Sequence, residues 1–183
     1  MLGQKYFEEG YVVLNNGDTI IGLVKDRTPD PFGKLYKKIK FKGEGKSKYG
    51  PDEISSYKKG DALYESIGLK DAGGFLQQDY HITSNEKGKE FIRVVHRGYV
   101  NHYFLEFQDA DSGYFDHFSY FKKENGNELV RTTQGLFGLK KKRLATFFKD
   151  CPTLAAKIRN KELKSAHEVA TFYNEWKRNQ KTF

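Results

Sequence analysis

Arg93, His102 and Glu106 are the residues whose types and spacing could do chemistry. If Arg97-Gly98 is a turn, the segments on either side pair as antiparallel strands. Ile92, Val94, Tyr103, Leu105 and Phe107 then share an apolar face, and Arg93, His102 and Glu106 share the solvent face. A histidine, an arginine and a carboxylate on one wet surface can bind an anion or move a proton. The same three side chains also suit an ordinary cross-strand polar set, and both readings stay open. The other histidines are His81, His96, His117 and His167, and none stands in a local metal or Ser-His-Asp signature. No catalytic residue, metal ligand or cofactor is therefore assigned.

Other motifs begin well and then fail. Gly45-Lys46-Ser47 ends like a phosphate-binding loop, but Lys40 stands where the first glycine belongs, and Tyr49-Gly50-Pro51 forbids the helix that must follow. Asp109-Ala110-Asp111-Ser112-Gly113 opens like a calcium loop, yet its sixth position is Tyr114 and its twelfth Tyr120. Arg97-Gly98-Tyr99 opens like an RNA-recognition signature and continues with Val100 and Asn101 instead of a small residue and a stacking ring. The single cysteine, Cys151, precedes Pro152 on an apolar helical face, which suits a buried structural thiol. One cysteine excludes an internal disulfide and a Cys2His2 zinc site.

The unexplained chemistry is basic. Lys140, Lys141, Lys142 and Arg143 stand where a helix should begin, so four cations meet the positive end of its dipole. A bound anion would reverse that repulsion; the plain alternative is a solvated basic face screened by salt or neutralised by the acidic middle of the chain. Lys38, Lys40 and Lys42 alternate with Ile39 and Phe41 and form a second basic candidate on a strand. The net charge of +8 is uneven: residues 1–60 hold 12 basic and 8 acidic side chains, residues 61–134 hold 8 and 12, and residues 135–183 hold 12 and 4.

The elements that must position these residues are mostly strands. Two apolar runs flank Asn15-Asn16-Gly17-Asp18, predicting a hairpin with Asn16-Gly17 at its tip in a type I′ turn. Thr28–Gly33, with two prolines, breaks the chain; strands are expected at 38–42, 54–58 and 62–69, a turn at Lys70–Gly74, and no pattern over 75–88. A third hairpin turns at Asn125-Gly126. From Leu136 the period becomes helical: Leu144, Phe147, Phe148 and Cys151 share a face, Leu154, Ala155 and Ile158 follow Pro152, and Ser165 to Glu168 is a capping box before Val169, Phe172, Tyr173 and Trp176. The reading is mainly β, of α+β type. Antiparallel hairpins form a sheet or open barrel over 1–135, and two or three C-terminal helices over 136–183 pack on it.

No apolar run approaches the roughly 18 residues of a membrane span. Leu2-Gly3-Gln4 reads like the residues around a signal-cleavage point. Gly10-Tyr11-Val12-Val13, Gly17-Asp18-Thr19-Ile20 with Gly22, Tyr49-Gly50-Pro51-Asp52-Glu53-Ile54, Phe91–Val95 with Gly98, Val100 and Tyr103, Asp150-Cys151-Pro152, and Tyr173-Asn174 together resemble a set of small exported proteins of the Bacteroidota lineage. The resemblance implies a periplasmic or envelope location and a β domain with a helical end; it implies no activity. The expected function is a non-enzymatic envelope protein that binds a protein partner, a glycan or an anionic lipid surface. The alternatives are a cytoplasmic nucleic-acid-binding module and an enzyme using His102, Arg93 and Glu106.

Overall fold

The computed structural model describes residues 6–28, 35–72, 79–84, 88–108, 115–133 and 138–180. The strands are β1 (Glu8–Leu14), β2 (Thr19–Lys25), β3 (Ile39–Lys42), β4 (Lys48–Tyr49), β5 (Ile54–Lys59), β6 (Ala62–Asp71), β7 (Tyr80–Thr83), β8 (Lys89–His96), β9 (Val100–Gln108), β10 (Phe115–Lys123) and β11 (Glu128–Arg131). The helices are α1 (Lys141–Phe147), α2 (Pro152–Arg159) and α3 (Ala166–Gln180). The protein is thus mainly antiparallel β with C-terminal helices, as the sequence predicts.

Strand order is β4-β3-β2-β1-β5-β6-β7-β11-β10-β9-β8, with a further pairing of β6 to β8 that closes the last six strands into a barrel. The barrel is closed rather than open because β6 is paired along both of its edges. Ala62–Glu65 pair with β5 while Leu63–Gly68 pair with β8. The turn expected at Lys70 starts later, since β6 runs to Asp71, and the region read as unpatterned contains β7. The calcium-like run Asp109–Gly113 and the break at Pro29–Gly33 lie outside the described residues.

The chain divides into two compact units, one of Met1–Leu69, Thr83–Val94 and Leu105–His117, the other of Lys70–Ile82, Val95–Phe104 and Phe118–Phe183. In the first, Val12, Val24, Phe41, Ile54, Tyr57 and Phe91 belong to one buried cluster. The β1–β2 hairpin is present, but its turn is not type I′. Leu14 N–H donates to the Asp18 carbonyl and Gly17 N–H to the Leu14 carbonyl, so Asn15-Asn16-Gly17 form a three-residue loop. Gly17 alone among them has a positive φ, +96°. That pattern is the type I turn closed by a left-handed residue, which needs one permissive position instead of two. Gly10 and Gly22 face each other across the same hairpin. A Cβ would stand 1.9 Å from the Lys58 carbonyl oxygen at Gly10 and 2.4 Å from that of Lys42 at Gly22, so neighbouring backbone passes where a side chain would be.

In the second unit Leu144, Phe148, Leu154, Ile158, Val169 and Tyr173 share a core. Pro152 opens α2 at its first turn, where no backbone donor is needed. The capping box of α3 forms: Glu168 N–H donates to Ser165 Oγ at 3.2 Å, and the Glu168 carboxylate accepts from the Ser165 N–H at 2.9 Å. The buried face of α3 is Val169, Ala170, Tyr173 and Asn174, with Phe172 and Trp176 half-buried, so it is rotated from the expected face. The cause is Asn174. Its Oδ1 accepts from Val100 N–H at 2.8 Å and its Nδ2 donates to the Val100 carbonyl at 3.1 Å, tying helix to strand with one amide. Gly98 leaves room for it, since a Cβ there would lie 2.5 Å from Asn174 Nδ2. Replacing Asn174 with Ala strands two buried backbone groups, each costing about 1–3 kcal/mol. Chemical denaturation of Asn174→Ala should show a loss of about 2–6 kcal/mol on that arithmetic; a loss under about 1 kcal/mol would mean that water replaces the amide.

Candidate functional site

The structure brings Arg93 and Glu106 together and gives His102 a different role. Arg93 Nη1 lies 3.9 Å from Glu106 Oε1. His102 sits in the other unit, 4% exposed, with Nε2 2.7 Å from Ser119 Oγ and its ring edge-on to Phe104 and Phe121. Ser119 Oγ also accepts from Thr132 Oγ1 at 2.7 Å. The expected solvent face is therefore corrected: His102 is a core histidine, and Glu106, its side chain 11% exposed, is largely enclosed.

What encloses Glu106 is a guanidinium the sequence did not single out. Arg27, at the end of β2, is buried. Its Nε donates to Asp26 Oδ1 at 3.1 Å, Nη1 to the Phe91 carbonyl at 3.3 Å and Nη2 to Glu106 Oε2 at 3.1 Å. The Tyr64 and Phe91 rings lie 5.4 and 5.7 Å from its Cζ. Tyr57 Oη donates to the same Asp26 oxygen at 2.5 Å, while Asp26 Oδ2 is buried with no hydrogen-bond partner among the described residues. Burial works against the Arg27 charge, but Tyr57, Asp26 and Glu106 outweigh it and hold the guanidinium protonated. Burial raises the Glu106 pKa and the Tyr57 pKa, so the tyrosine stays a neutral donor.

Arg27 and Glu106 border a cavity of about 450 Å³, which Leu35, Tyr36, Leu105 and Phe107 line with apolar surface and Lys37, Glu90 and Gln108 with polar groups. Lys37 Nζ and Glu90 Oε1 are 3.4 Å apart. Every lining residue belongs to the first unit.

The lysines resolve into different situations. Lys38 is held by Glu53 at 3.2 Å, and Glu53 also accepts from Lys46 Nζ at 2.7 Å and Gly50 N–H at 2.8 Å. The Lys46 and Gly50 bonds hold the Glu53 pKa at about 2, below its ordinary 4.5. Lys40 stands opposite Lys25 on one side and Lys48 on the other, so three lysines form a row across β2, β3 and β4. None of the three makes an ion pair with a described residue. Lys42 is next along, opposite Leu23, with its Nζ 4.3 Å from the Phe7 ring centre. Leu23 is 40% exposed and Ile21, two residues back on the same face, 79%.

At the helix start, Lys140 is the N-cap residue of α1 and Lys141, Lys142 and Arg143 form its first turn. Arg143 is already committed, its Nε 2.8 Å from the buried Asp79 Oδ2 and Nη2 3.7 Å from Glu128. The Gly45-Lys46-Ser47 run leads into β4, and Lys46 N–H donates to Tyr49 Oη, so it is a strand connection. Cys151 is buried in the second core, and burial raises its pKa. Among the described residues no cluster of three or more His, Cys, Asp or Glu could hold a metal ion, and no helix is long and apolar enough to cross a membrane. Compared with known proteins, the chain matches no family model, no curated protein and no solved structure.

Two outcomes test this arrangement. Arg27→Ala leaves Asp26 buried without its cation and Glu106 with only the more distant Arg93, and should cost about 3–5 kcal/mol in a denaturation experiment; Glu106→Gln in that background should cost far less than it does alone. Glu53, whose folded pKa is lowered, stabilises the fold above its ordinary pKa and loses that contribution as pH falls from 4.5 towards 2. Glu53→Gln should flatten the acid limb of a stability–pH profile in that window, whereas an unchanged limb would assign acid sensitivity elsewhere.

Proposed function

We propose that this is a non-enzymatic protein of the cell envelope that lies on an anionic lipid surface through the outer face of β2, β3 and β4. The observation that carries the proposal is the row Lys25–Lys40–Lys48. Like charges directly opposite one another in a sheet are destabilising. A surface of negative headgroups turns that repulsion into attraction, at about 1 kcal/mol per lysine. Beside the row stand Lys42 and the exposed Leu23 and Ile21, so cations flank apolar side chains that can enter the headgroup boundary. The solvent face of an antiparallel sheet ordinarily alternates to polar residues, and an apolar strip there calls for a partner. The resemblance to exported proteins of the Bacteroidota lineage supports the same location.

The test compares vesicles of mixed phosphatidylglycerol and phosphatidylcholine with vesicles of phosphatidylcholine alone. The full chain should sediment with the anionic vesicles only, less so as salt rises. The triple variant Lys25→Gln, Lys40→Gln, Lys48→Gln should bind about a hundredfold more weakly while its thermal stability is unchanged or higher. Equal binding by both proteins overturns the proposal. So does salt-sensitive binding to single-stranded RNA or DNA without vesicle binding, which assigns the lysines to phosphate backbones instead.

A further inference from the structure

The cavity beside Arg27 and Glu106 is a second feature, independent of the lysine face. Its volume of about 450 Å³ falls within the roughly 300–1,000 Å³ of small-molecule sites. Its polar lining is unusual in being paired. Arg27 Nη2 and Glu106 Oε2 stand 3.1 Å apart, and Lys37 Nζ and Glu90 Oε1 3.4 Å apart, so each donor has an acceptor beside it. Gln108 carries both functions in one amide. Formal charge within the lining is balanced: Arg27 and Lys37 against Glu90 and Glu106. An isolated anion or cation meets, beside each group of opposite charge, a group of its own sign. A hydroxyl group has no such conflict, because it donates and accepts at once.

Two further features narrow the ligand. Arg27 uses three of its N–H donors on Asp26, Phe91 and Glu106, and a guanidinium has about five, so donors remain on a side chain already fixed in place. Tyr36, 51% exposed, lines the cavity with Leu35 and Phe107 and offers an aromatic ring there. Vicinal hydroxyls set around a ring with an apolar C–H face match both the paired polar groups and the ring. We propose that this cavity binds a neutral saccharide, its hydroxyls bridging the Arg27–Glu106 and Lys37–Glu90 pairs and its C–H face lying on Tyr36.

The experiment is a titration of the full chain, followed by amide NMR shifts, with lactose, maltose and N,N′-diacetylchitobiose as neutral probes and with glucuronate and glucosamine as charged ones. At least one neutral disaccharide should shift the amides of Leu35–Lys37 and Leu105–Gln108 at millimolar concentration, ahead of both charged sugars. Tyr36→Ala and Gln108→Ala should each weaken that binding about tenfold, the worth of one lost contact. No shift with any neutral probe overturns the proposal. Tighter binding of glucuronate overturns it in favour of an anion site at Arg27, and tighter binding of glucosamine in favour of a cation site at Glu106. Shifts that survive both substitutions place the sugar elsewhere and overturn it too. Retention of saccharide binding in the triple lysine variant is expected, since the two surfaces share no residue.

Discussion

A guanidinium removed from water has to be answered by fixed acceptors, and around Arg27 that requirement gathers much of the first unit. Asp26 answers from the neighbouring position, Glu106 from 79 residues away and the Phe91 carbonyl from 64. Tyr57 then shares the Asp26 oxygen, and Tyr57 in turn stacks on Tyr64 with ring centres 4.6 Å apart and meets Phe91 edge-on at 4.8 Å. The aromatic core and the ionic network are thus one construction. Such a network is weak as a source of net stability, since desolvation offsets the attraction, but it is demanding about geometry because every member is costly to leave unpaired. The same demand fixes the polar wall of the neighbouring cavity before any ligand arrives.

The β1–β2 hairpin shows how close approach rather than turn chemistry shapes a sheet. Gly10 and Gly22 face each other where the backbones of β5 and β3 pass closest. Removing both side chains from one face is compensated on the other, where Leu23, Ile21 and the lysines stand outward. The face that closes on the core and the face that carries the lysine row are therefore two consequences of one strand alternation.

In the second unit Asp150, Tyr173 and Asn174 do structural work. Asp150 accepts from Tyr173 Oη at 2.6 Å and from Lys123 Nζ at 2.6 Å, while Asn174 holds both backbone groups of Val100. Tyr173 and Asn174 are adjacent on α3, so consecutive side chains anchor the helix in two directions. His102, with Ser119 and Thr132, is a similar interior polar chain. Asn174 and His102 satisfy buried polar groups, whereas Asp150 ties α3 to Lys123 nearer the surface.

Sequence alone determined the local periods, because they depend on interactions spanning a few residues: the first hairpin, the alternation of Ile39–Lys42, the face of α2, its proline start and the capping box at Ser165; the face read over Leu144–Cys151 is cut short, since α1 ends at Phe147 and Cys151 is the cap residue before α2. It also marked Lys40, Lys42, Arg93 and Glu106 as candidates, because their positions on alternating strands follow from period two. Tertiary structure decided the partners. Lys25 and Lys48 became a row with Lys40 only through the register of three strands, and no local pattern encodes that register when both lysines also read as ordinary surface residues. Arg27 and Asp26 look like a solvated strand end in the sequence, since a buried charge and an exposed one have the same letters and differ only in what distant chain segments bring to them. The same holds for β6, whose length was partly legible but which takes β8 as a partner beyond β5 and β7, a pairing that skips β7 along the chain and closes the barrel. Hydrogen bonds between distant residues form only after the chain has been brought together, and that is why the site residues that matter most were the ones least visible beforehand.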